Sequence, residues 1–183
     1  PAGLEIDLNA IAQGAAVDMI GQYFESKGIE NYLIDIGGEV RARGKKDDGS
    51  LWKVGIETPS KTKYDTRSID AAIELDNQSV VASGNYRKYY IEDGVKYSHT
   101  IDPKTGHPVN HTLLSVSVVD KEAWRADALA TAFMVMGLDR ALSFIAQNPK
   151  NEAVYFIYNE DGEYKTHATP AFEKMILKKA NTK

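Results

Sequence analysis

Apolar residues recur along this chain with two periods, which separate predicted helices from predicted strands. Between residues 9 and 27 the apolar positions fall three and four residues apart, which predicts an amphipathic helix. Asn9 is suited to its N-cap, and Gly28 followed by Ile29 is typical of a left-handed C-terminal cap. The runs "EAWRADALATAFMVMG" and "DRALSFIAQ" predict two further helices, the first closed by Gly137.

Short apolar runs bounded by turn residues predict strands in the rest of the chain. They are "NYLIDI", "EVRARGK", "WKVGIET", "AAIEL", "SVVASG" and "TLLSVSVV". "YRKYYIEDGVKYSHTI" and "AVYFIYNEDGEYKTHA" each have the form of a hairpin. Residues 58–69 are predicted to form an exposed loop, and the tail "KKANTK" to be frayed. Because strands and helices do not alternate regularly, the predicted class is α+β, with residues 1–183 as one domain.

Charge and composition narrow the range of functions. The formal net charge is −4, and no basic block with interleaved aromatic residues occurs, so nucleic acid is not an expected partner. The absence of cysteine excludes a disulfide framework and thiolate chemistry. No run of about 18 apolar residues is present, so no membrane-spanning helix is expected.

A carboxylate interrupts the apolar run "WRADALATAFMVMG". Asp127 and Thr131 are four residues apart, so a helix places both on one face. Two oxygen ligands at that spacing can reach one hard cation such as Mg²⁺. The same spacing also suits a structural role, in which Asp127 favours the helix N-terminus and Thr131 bonds back to a carbonyl. The spacing alone leaves both interpretations open.

Two other segments have features of anion sites. In "DLNAIAQGAAVD", Asp7 and Asn9 precede a helix start, where free backbone N–H groups attract phosphate, and Gly14 allows a ligand or another element to approach closely. From the residues alone, an asparagine cap with tight helix packing is the favoured explanation of that segment. In "SGNYRKYY" a turn of small residues precedes Arg87, which suits phosphate or carboxylate recognition or, alternatively, a solvated surface arginine.

The segment "YSHTIDPKTGHPVNH" contains three histidines without the spacing of a zinc site. His99 follows a predicted strand and is a candidate general base near neutral pH. Asp102 before a proline is expected to start a turn. His107, His111 and, further along, His167 are interpreted as surface or structural residues.

Taken together, five segments resemble the ApbE-type FAD:protein FMN transferases, or flavin transferases. They are "IDLNAIAQGAAVD", "YLIDIGGEVRARG", "VVASGNYRKYY", "YSHTIDPKTGHPVNHTLLSVSVV" and "ADALATAFMVMG", in the order of that family. The resemblance implies an ApbE-like, T-fold-like architecture of mixed and antiparallel sheets with packed helices. It also implies that residues 1–183 are the C-terminal portion of such an enzyme, lacking an upstream part.

The resemblance also implies roles for individual residues. The side chains of Asp127 and Thr131 and the carbonyl of Ala10 resemble the family's metal ligands. His99 resembles the base that deprotonates the acceptor hydroxyl. The positions expected to contact FAD are Asp7, Gln13, Ser98 and Arg87, with Gln13 standing where relatives commonly carry lysine.

The reaction implied by the resemblance is Mg²⁺-dependent. FAD is the substrate, its FMN half passes to a Ser or Thr hydroxyl of a target protein as a phosphoester, and AMP is released. The expected acceptors are flavoprotein subunits of respiratory ion-pumping complexes. The expected location is the bacterial periplasm, with a lipoprotein anchor to the inner membrane in the upstream part. Hydrolysis of FAD to free FMN and AMP, and FAD binding without catalysis, are the alternatives.

Overall fold

The computed structural model of the chain describes residues 6–59, 68–85, 89–92, 95–148 and 152–177, together with Gly3 and Lys150. Arg87 and the tail "KKANTK" lie outside the described residues, as does most of the predicted loop 58–69. In the described part no helix is both long enough and apolar enough to cross a membrane.

The described helices and strands are as follows in chain order. The helices are α1 (Ala12–Ser26), α2 (Ala123–Met136), α3 (Leu138–Gln147) and α4 (Pro170–Glu173). The strands are β1 (Tyr32–Ile36), β2 (Glu39–Arg43), β3 (Trp52–Glu57), β4 (Ile69–Leu75), β5 (Gln78–Gly84), β6 (Tyr89–Glu92), β7 (Val95–Ser98), β8 (Leu113–Asp120), β9 (Ala153–Glu160), β10 (Glu163–Ala168) and β11 (Ile176–Leu177).

Three sheets organise these strands. A six-stranded sheet has the order β1-β2-β5-β8-β9-β10, and every neighbouring pair in it is antiparallel. A three-stranded sheet has the order β11-β4-β3, and β6 pairs with β7 in a separate hairpin. The antiparallel sheets and packed helices confirm the predicted α+β class.

The six-stranded sheet is the middle of three layers. On one face it packs against α1, α2 and α3 through a core that includes Val17, Phe133 and Phe156. On the other face it packs against the three-stranded sheet and α4 through a second core that includes Ile73 and Phe172. Because both faces are covered, the central strand β8 is buried along nearly its whole length instead of alternating.

The start of α1 differs from the prediction, whereas its end agrees with it. The helix begins at Ala12 with Ile11 as N-cap and no side-chain cap, so the prediction of Asn9 as N-cap is wrong. Instead, the Asp7 carboxylate accepts hydrogen bonds from the backbone and side-chain N–H groups of Asn9 at 2.7 and 3.2 Å. At the other end Gly28 has φ +75° and Ile29 donates to the Phe24 carbonyl, which is the predicted left-handed cap.

Most other predicted elements are confirmed. The two hairpins form as β6–β7 and β9–β10, and α2 ends at Gly137 with φ +76°. The short helix α4 and the two-residue strand β11 were not predicted. Their apolar residues are too few to show a period, and packing against the three-layer body determines their conformation.

An ion-pair network joins the C-terminal half of α1 to β1 and β2. Glu25 accepts a hydrogen bond from the Tyr32 hydroxyl at 2.6 Å and pairs with Arg43 at 2.5 Å. These two hydrogen bonds lower the pKa of the Glu25 carboxyl to about 2. Arg41 bridges the same carboxylate, at 3.3 Å, to Asp18 at 2.5 Å. The network therefore fixes α1 against the edge of the six-stranded sheet.

We predict that Glu25→Gln lowers the free energy of unfolding at pH 7 by about 1 kcal/mol, because charge-assisted hydrogen bonds are replaced by neutral ones. The folded-state pKa is lowered, so this stabilisation is present above pH 4.5 and is lost as the pH falls towards 2. Urea denaturation of both proteins between pH 7 and pH 3 measures the difference. Glu163→Gln, at an exposed ion pair, is the control. A difference that stays constant with pH would contradict the assignment.

Candidate functional site

The central feature of the site is the carboxylate of Asp127 in the interface between α1 and α2. Asp127 is 5% exposed, and its Oδ2 accepts the backbone N–H of Gly14 at 2.9 Å. The two residues are 113 positions apart in sequence, so this bond joins the two helices directly. Burial raises the pKa of Asp127, and the Gly14 hydrogen bond opposes that shift. The ionised carboxylate is therefore only partly compensated by the protein.

The close contact of the two helices depends on Gly14. A Cβ atom at this position would lie 2.5 Å from the carbonyl oxygen of Ala123 and 2.8 Å from the Cα of Trp124. These are backbone atoms, which cannot move aside as a flexible side chain can. The sequence indicated that Gly14 allows close approach of another element or a ligand, and the structure shows that α2 is that element.

A second buried carboxylate in the same interface provides a comparison. Asp18 accepts the backbone N–H of Trp124 at 2.9 Å and forms an ion pair with Arg41. It thus caps the N-terminus of α2 and has a cationic partner, as a structural carboxylate should. The structure records no such cation beside Asp127 among the described residues. Asp18 lies on α1, four residues after Gly14, the residue that Asp127 contacts. Asp18 therefore has a cationic partner in this interface, whereas Asp127 has none among the described residues.

Two hydroxyl groups, those of Thr131 and Ser83, lie near the face of α2 that carries Asp127. Thr131 is one turn after Asp127 on α2, and its Oγ1 is 3.3 Å from the Oγ of Ser83 near the end of β5. Thr131 was expected to share a face with Asp127, but Ser83 was not singled out as its partner. The contact depends on the place of β5 in the sheet under α2, which the sequence pattern does not reveal.

The oxygen donors fit a hard divalent cation. A carboxylate with incomplete charge compensation and a nearby threonine hydroxyl match the ligands that Mg²⁺ prefers, with waters or substrate oxygens completing its shell. No cluster of three or more His, Cys, Asp or Glu side chains suited to a metal occurs in the described residues. Ala10, the predicted backbone ligand, lies in the turn just before α1, four residues before Gly14. Its role stays a prediction.

Two residues predicted to contact FAD lie near the start of α1. Asp7 is exposed and holds Asn9 as described above. The exposed side chain of Gln13 lies against the β1–β2 turn, where its Nε2 would be 2.6 Å from a Cβ atom at Gly37. Gly37 and Gly38 both have positive φ, a backbone conformation that glycine adopts readily. Both assignments to FAD remain predictions.

His99 and Ser98 lie at the end of the β6–β7 hairpin. Ser98 is the last residue of β7 and is buried, whereas His99 is exposed. The Oδ1 of Asn85 accepts hydrogen bonds from the Ser98 and Thr100 hydroxyls at 2.7 and 2.9 Å. Asn85 follows β5 and lies two residues after Ser83. Asn85 lies in the segment "VVASGNYRKYY", but residue type and spacing do not indicate its contact with Ser98 and Thr100.

The other histidines have the surface or structural character that was expected. His107 is exposed, and His167 is exposed beside Phe156. His111 bonds the Met134 carbonyl through Nε2 at 2.7 Å and packs against Gly137 at the end of α2. Asp102 accepts the N–H of Lys104 and starts a turn, as predicted.

Fold and site together define an α+β protein with an oxygen-donor site between two helices and an exposed histidine at a nearby hairpin. Comparison with known proteins identifies the family: a model of the ApbE family matches residues 1–156. The chain therefore belongs to the ApbE family.

Named relatives and solved structures agree with this assignment. A FAD:protein FMN transferase of Vibrio cholerae is 42% identical over 96% of this chain and 51% of its own length. One of Haemophilus influenzae is 40% identical over 93% and 48%. The apo structure of the Pseudomonas stutzeri flavinyl transferase ApbE has a TM-score of 0.80 at 40% identity, covering 94% of this chain and 52% of that one. The chain spans about half the length of the curated relatives it matches.

We predict that Gly14→Ala destabilises the protein by about 1–3 kcal/mol, although alanine normally favours a helix. The added methyl group meets the Ala123 backbone, so α1 has to move and the Asp127 hydrogen bond lengthens. Chemical denaturation measures the effect, with Gln22→Ala on the exposed side of α1 as the control. Equal or greater stability of Gly14→Ala would show that the helices are not in this contact.

Proposed function

We propose that this chain carries the metal and base residues of a FAD:protein FMN transferase. In this reaction a Ser or Thr hydroxyl of an acceptor protein attacks the FMN phosphorus of FAD. The new P–O bond makes a phosphoester, the pyrophosphate P–O bond breaks, and AMP leaves. Membership of the ApbE family supports the proposal, as do relatives named for this activity.

The observation that carries the proposal is the environment of Asp127. A charged group buried in a helix interface normally has an opposite charge beside it, as Asp18 has in Arg41. Among the described residues, Asp127 has one neutral N–H donor instead, and burial raises its pKa. Such a site costs stability in the isolated protein, and a bound cation would remove that cost. This is the pattern expected of a ligand rather than of a structural carboxylate.

In our proposal Asp127, Thr131 and the carbonyl of Ala10 hold Mg²⁺. When bound, the ion supplies positive charge that stabilises the phosphate oxygens of the leaving AMP. Gly14 holds the Asp127 carboxylate in place through its backbone N–H, and the rigid contact of the two helices preorganises it. Ser83 orients the Thr131 hydroxyl from the neighbouring strand.

His99 is the proposed general base. A Thr or Ser hydroxyl is a weak nucleophile at neutral pH, so removal of its proton as the P–O bond forms assists the attack. The exposed position of His99 at the end of β7 suits contact with a hydroxyl that another protein brings in. Asp7, Gln13, Ser98 and Arg87 are proposed to contact FAD.

The acceptor and the location are also part of the proposal. The acceptors would be flavoprotein subunits of respiratory ion-pumping complexes, and the enzyme would act in the bacterial periplasm, anchored as a lipoprotein. A water molecule in place of the acceptor hydroxyl would give free FMN and AMP. Mass spectrometry of the acceptor separates the two reactions, because transfer adds the mass of FMN to the protein and hydrolysis does not.

We predict that Asp127→Asn removes the response of the protein to Mg²⁺. Asparagine keeps an acceptor for the Gly14 N–H but not the charge. A ligand at one hundred times its Kd stabilises a protein by about 2.7 kcal/mol, so Tm rises with Mg²⁺ in the wild type only. Because burial disfavours the charge, metal-free Asp127→Asn should melt at the same or a higher temperature.

Differential scanning fluorimetry with and without Mg²⁺ makes this measurement. Asp139→Asn, at an exposed carboxylate in the first turn of α3, is the matched control and should retain the wild-type response. An equal Mg²⁺ shift in Asp127→Asn would place the metal elsewhere.

We predict that His99→Gln lowers the rate of FMN transfer by about 10²- to 10⁴-fold, the usual contribution of a general base, while the Mg²⁺-dependent rise in Tm stays. Gain of FMN mass by an acceptor domain over time measures the rate. His107→Gln, at an exposed histidine further along the same segment, serves as the control. Full activity of His99→Gln would exclude it as the base.

A further inference from the structure

The β6–β7 hairpin forms its own two-stranded sheet. Among the described residues, neither of its strands pairs with the six-stranded sheet. Two-stranded hairpins have little independent stability in water. His99 follows the last residue of this hairpin. Its position relative to α2 therefore depends on side-chain and loop contacts that tie the hairpin end to the sheet.

Asn85 makes one such connection. Its backbone N–H donates to the carbonyl of Leu114 in β8 at 2.9 Å, which fixes Asn85 to the six-stranded sheet. Its side-chain Oδ1 accepts the hydroxyls of Ser98 and Thr100, the two residues that flank His99. Asn85 and Ser98 are each only 9% exposed, so these hydrogen bonds are shielded from water.

The hydrogen bonds also define the orientation of the Asn85 amide. The Ser98 Oγ accepts the backbone N–H of Thr100 at 3.0 Å, so its own proton is available for Asn85. With two hydroxyl donors, both lone pairs of the Asn85 Oδ1 are used. One oxygen atom thus holds the residues before and after His99 at the same time.

The same strand end also contacts the proposed metal site. Ser83, two residues before Asn85, lies 3.3 Å from the Thr131 hydroxyl. The end of β5 therefore touches α2 through Ser83 and the hairpin end through Asn85. A rigid strand of this kind sets the distance between two parts of a site more precisely than loops do.

We propose that Asn85 is a positioning residue that holds His99 in register with the Asp127–Thr131 site. Its catalytic meaning rests on the function proposed above, in which His99 is the base. Asn85 itself contacts neither the acceptor nor the reacting phosphorus in this proposal. Its loss should lower kcat because the base is misplaced. The KM for FAD should change less, and only through Ser98, whose hydroxyl Asn85 holds and which is proposed to contact FAD. A misplacement of about 1 Å can cost about 10²-fold in rate.

The first test observes His99 directly and does not depend on activity. With ¹³C,¹⁵N-histidine labelling, His99→Gln assigns the His99 ring signal among the four histidines. We expect Asn85→Ala, and the shape-preserving Thr100→Val, to shift and broaden that signal while those of His107 and His167 stay in place. Ser143→Ala, which removes an exposed hydroxyl from α3, should leave the His99 signal unchanged. An unchanged His99 signal in Asn85→Ala would overturn the proposal.

The second test separates positioning from a general structural effect. Asn85→Ala should lower kcat for FMN transfer by about tenfold to a hundredfold, with a smaller change in the KM for FAD that arises from the loosened Ser98. Asn85→Asp keeps an oxygen that accepts both hydroxyls, so it should restore most of kcat while its charge raises the KM for anionic FAD. Equal loss of kcat in Asn85→Ala and Asn85→Asp would contradict positioning through that oxygen.

The two tests also distinguish failure of this proposal from failure of the proposed function. A wild-type protein that moves no FMN, even when joined to the remainder of an ApbE enzyme, would reject the function, whatever the histidine spectra show. A wild-type protein that transfers FMN, with kcat and the His99 signal unaltered in Asn85→Ala, would reject only the role of Asn85.

Discussion

The hydrogen bond from the Gly14 amide to Asp127 is the contact on which the site depends. It joins residues 113 positions apart and is possible only because Gly14 lets the backbone of α2 come within contact of α1. A larger residue in place of Gly14 would separate the two helices and expose the Asp127 carboxylate to water. Two features follow from this contact: a rigid helix pair and a buried negative charge that the protein compensates incompletely.

The surrounding structure serves to keep that helix pair in place. The Asp18–Arg41–Glu25 network attaches α1 to β1 and β2. The apolar face of α2 is fixed on the six-stranded sheet, whose other face is covered by the three-stranded sheet. In such a three-layer body the ends of the central strands are well-defined points. Ser83 and Asn85 lie at one of these points, the end of β5. Ser83 contacts Thr131, and Asn85 contacts Ser98 and Thr100, the residues beside His99.

The sequence was sufficient for local structure and for the family, but not for contacts across the sheet. Helical period and a glycine stop predicted α2 with Asp127 and Thr131 on one face, and short apolar runs bounded by turn residues predicted the strands. The pattern could not show that β4 and β5, separated only by Asp76 and Asn77, belong to different sheets. In the sequence both are short apolar runs next to turn residues, and only tertiary packing decides which layer each enters.

For the same reason the partners of the predicted site residues were missed. Ser83 contacts Thr131, which is 48 positions away, and Asn85 contacts Ser98, which is 13 positions away. Both contacts depend on how the strands are arranged in the fold. The prediction of Asn9 as N-cap failed because the Asp7 carboxylate holds its side chain, a short-range competition that residue preferences do not resolve. Residue type, spacing and the family resemblance thus predicted candidate groups for the chemistry, and the fold was needed to show which residues contact them.

The proposed binding of a hard divalent cation between Asp127 and Thr131 can be followed by amide NMR during titration with Mn²⁺, which shares the oxygen preference of Mg²⁺. The paramagnetic ion broadens nearby signals first. We expect early loss of the amide signals of Gly14, Asp127 and Thr131. Early loss at the exposed Asp47–Asp48 turn instead, with Gly14 and Thr131 unaffected, would contradict the account.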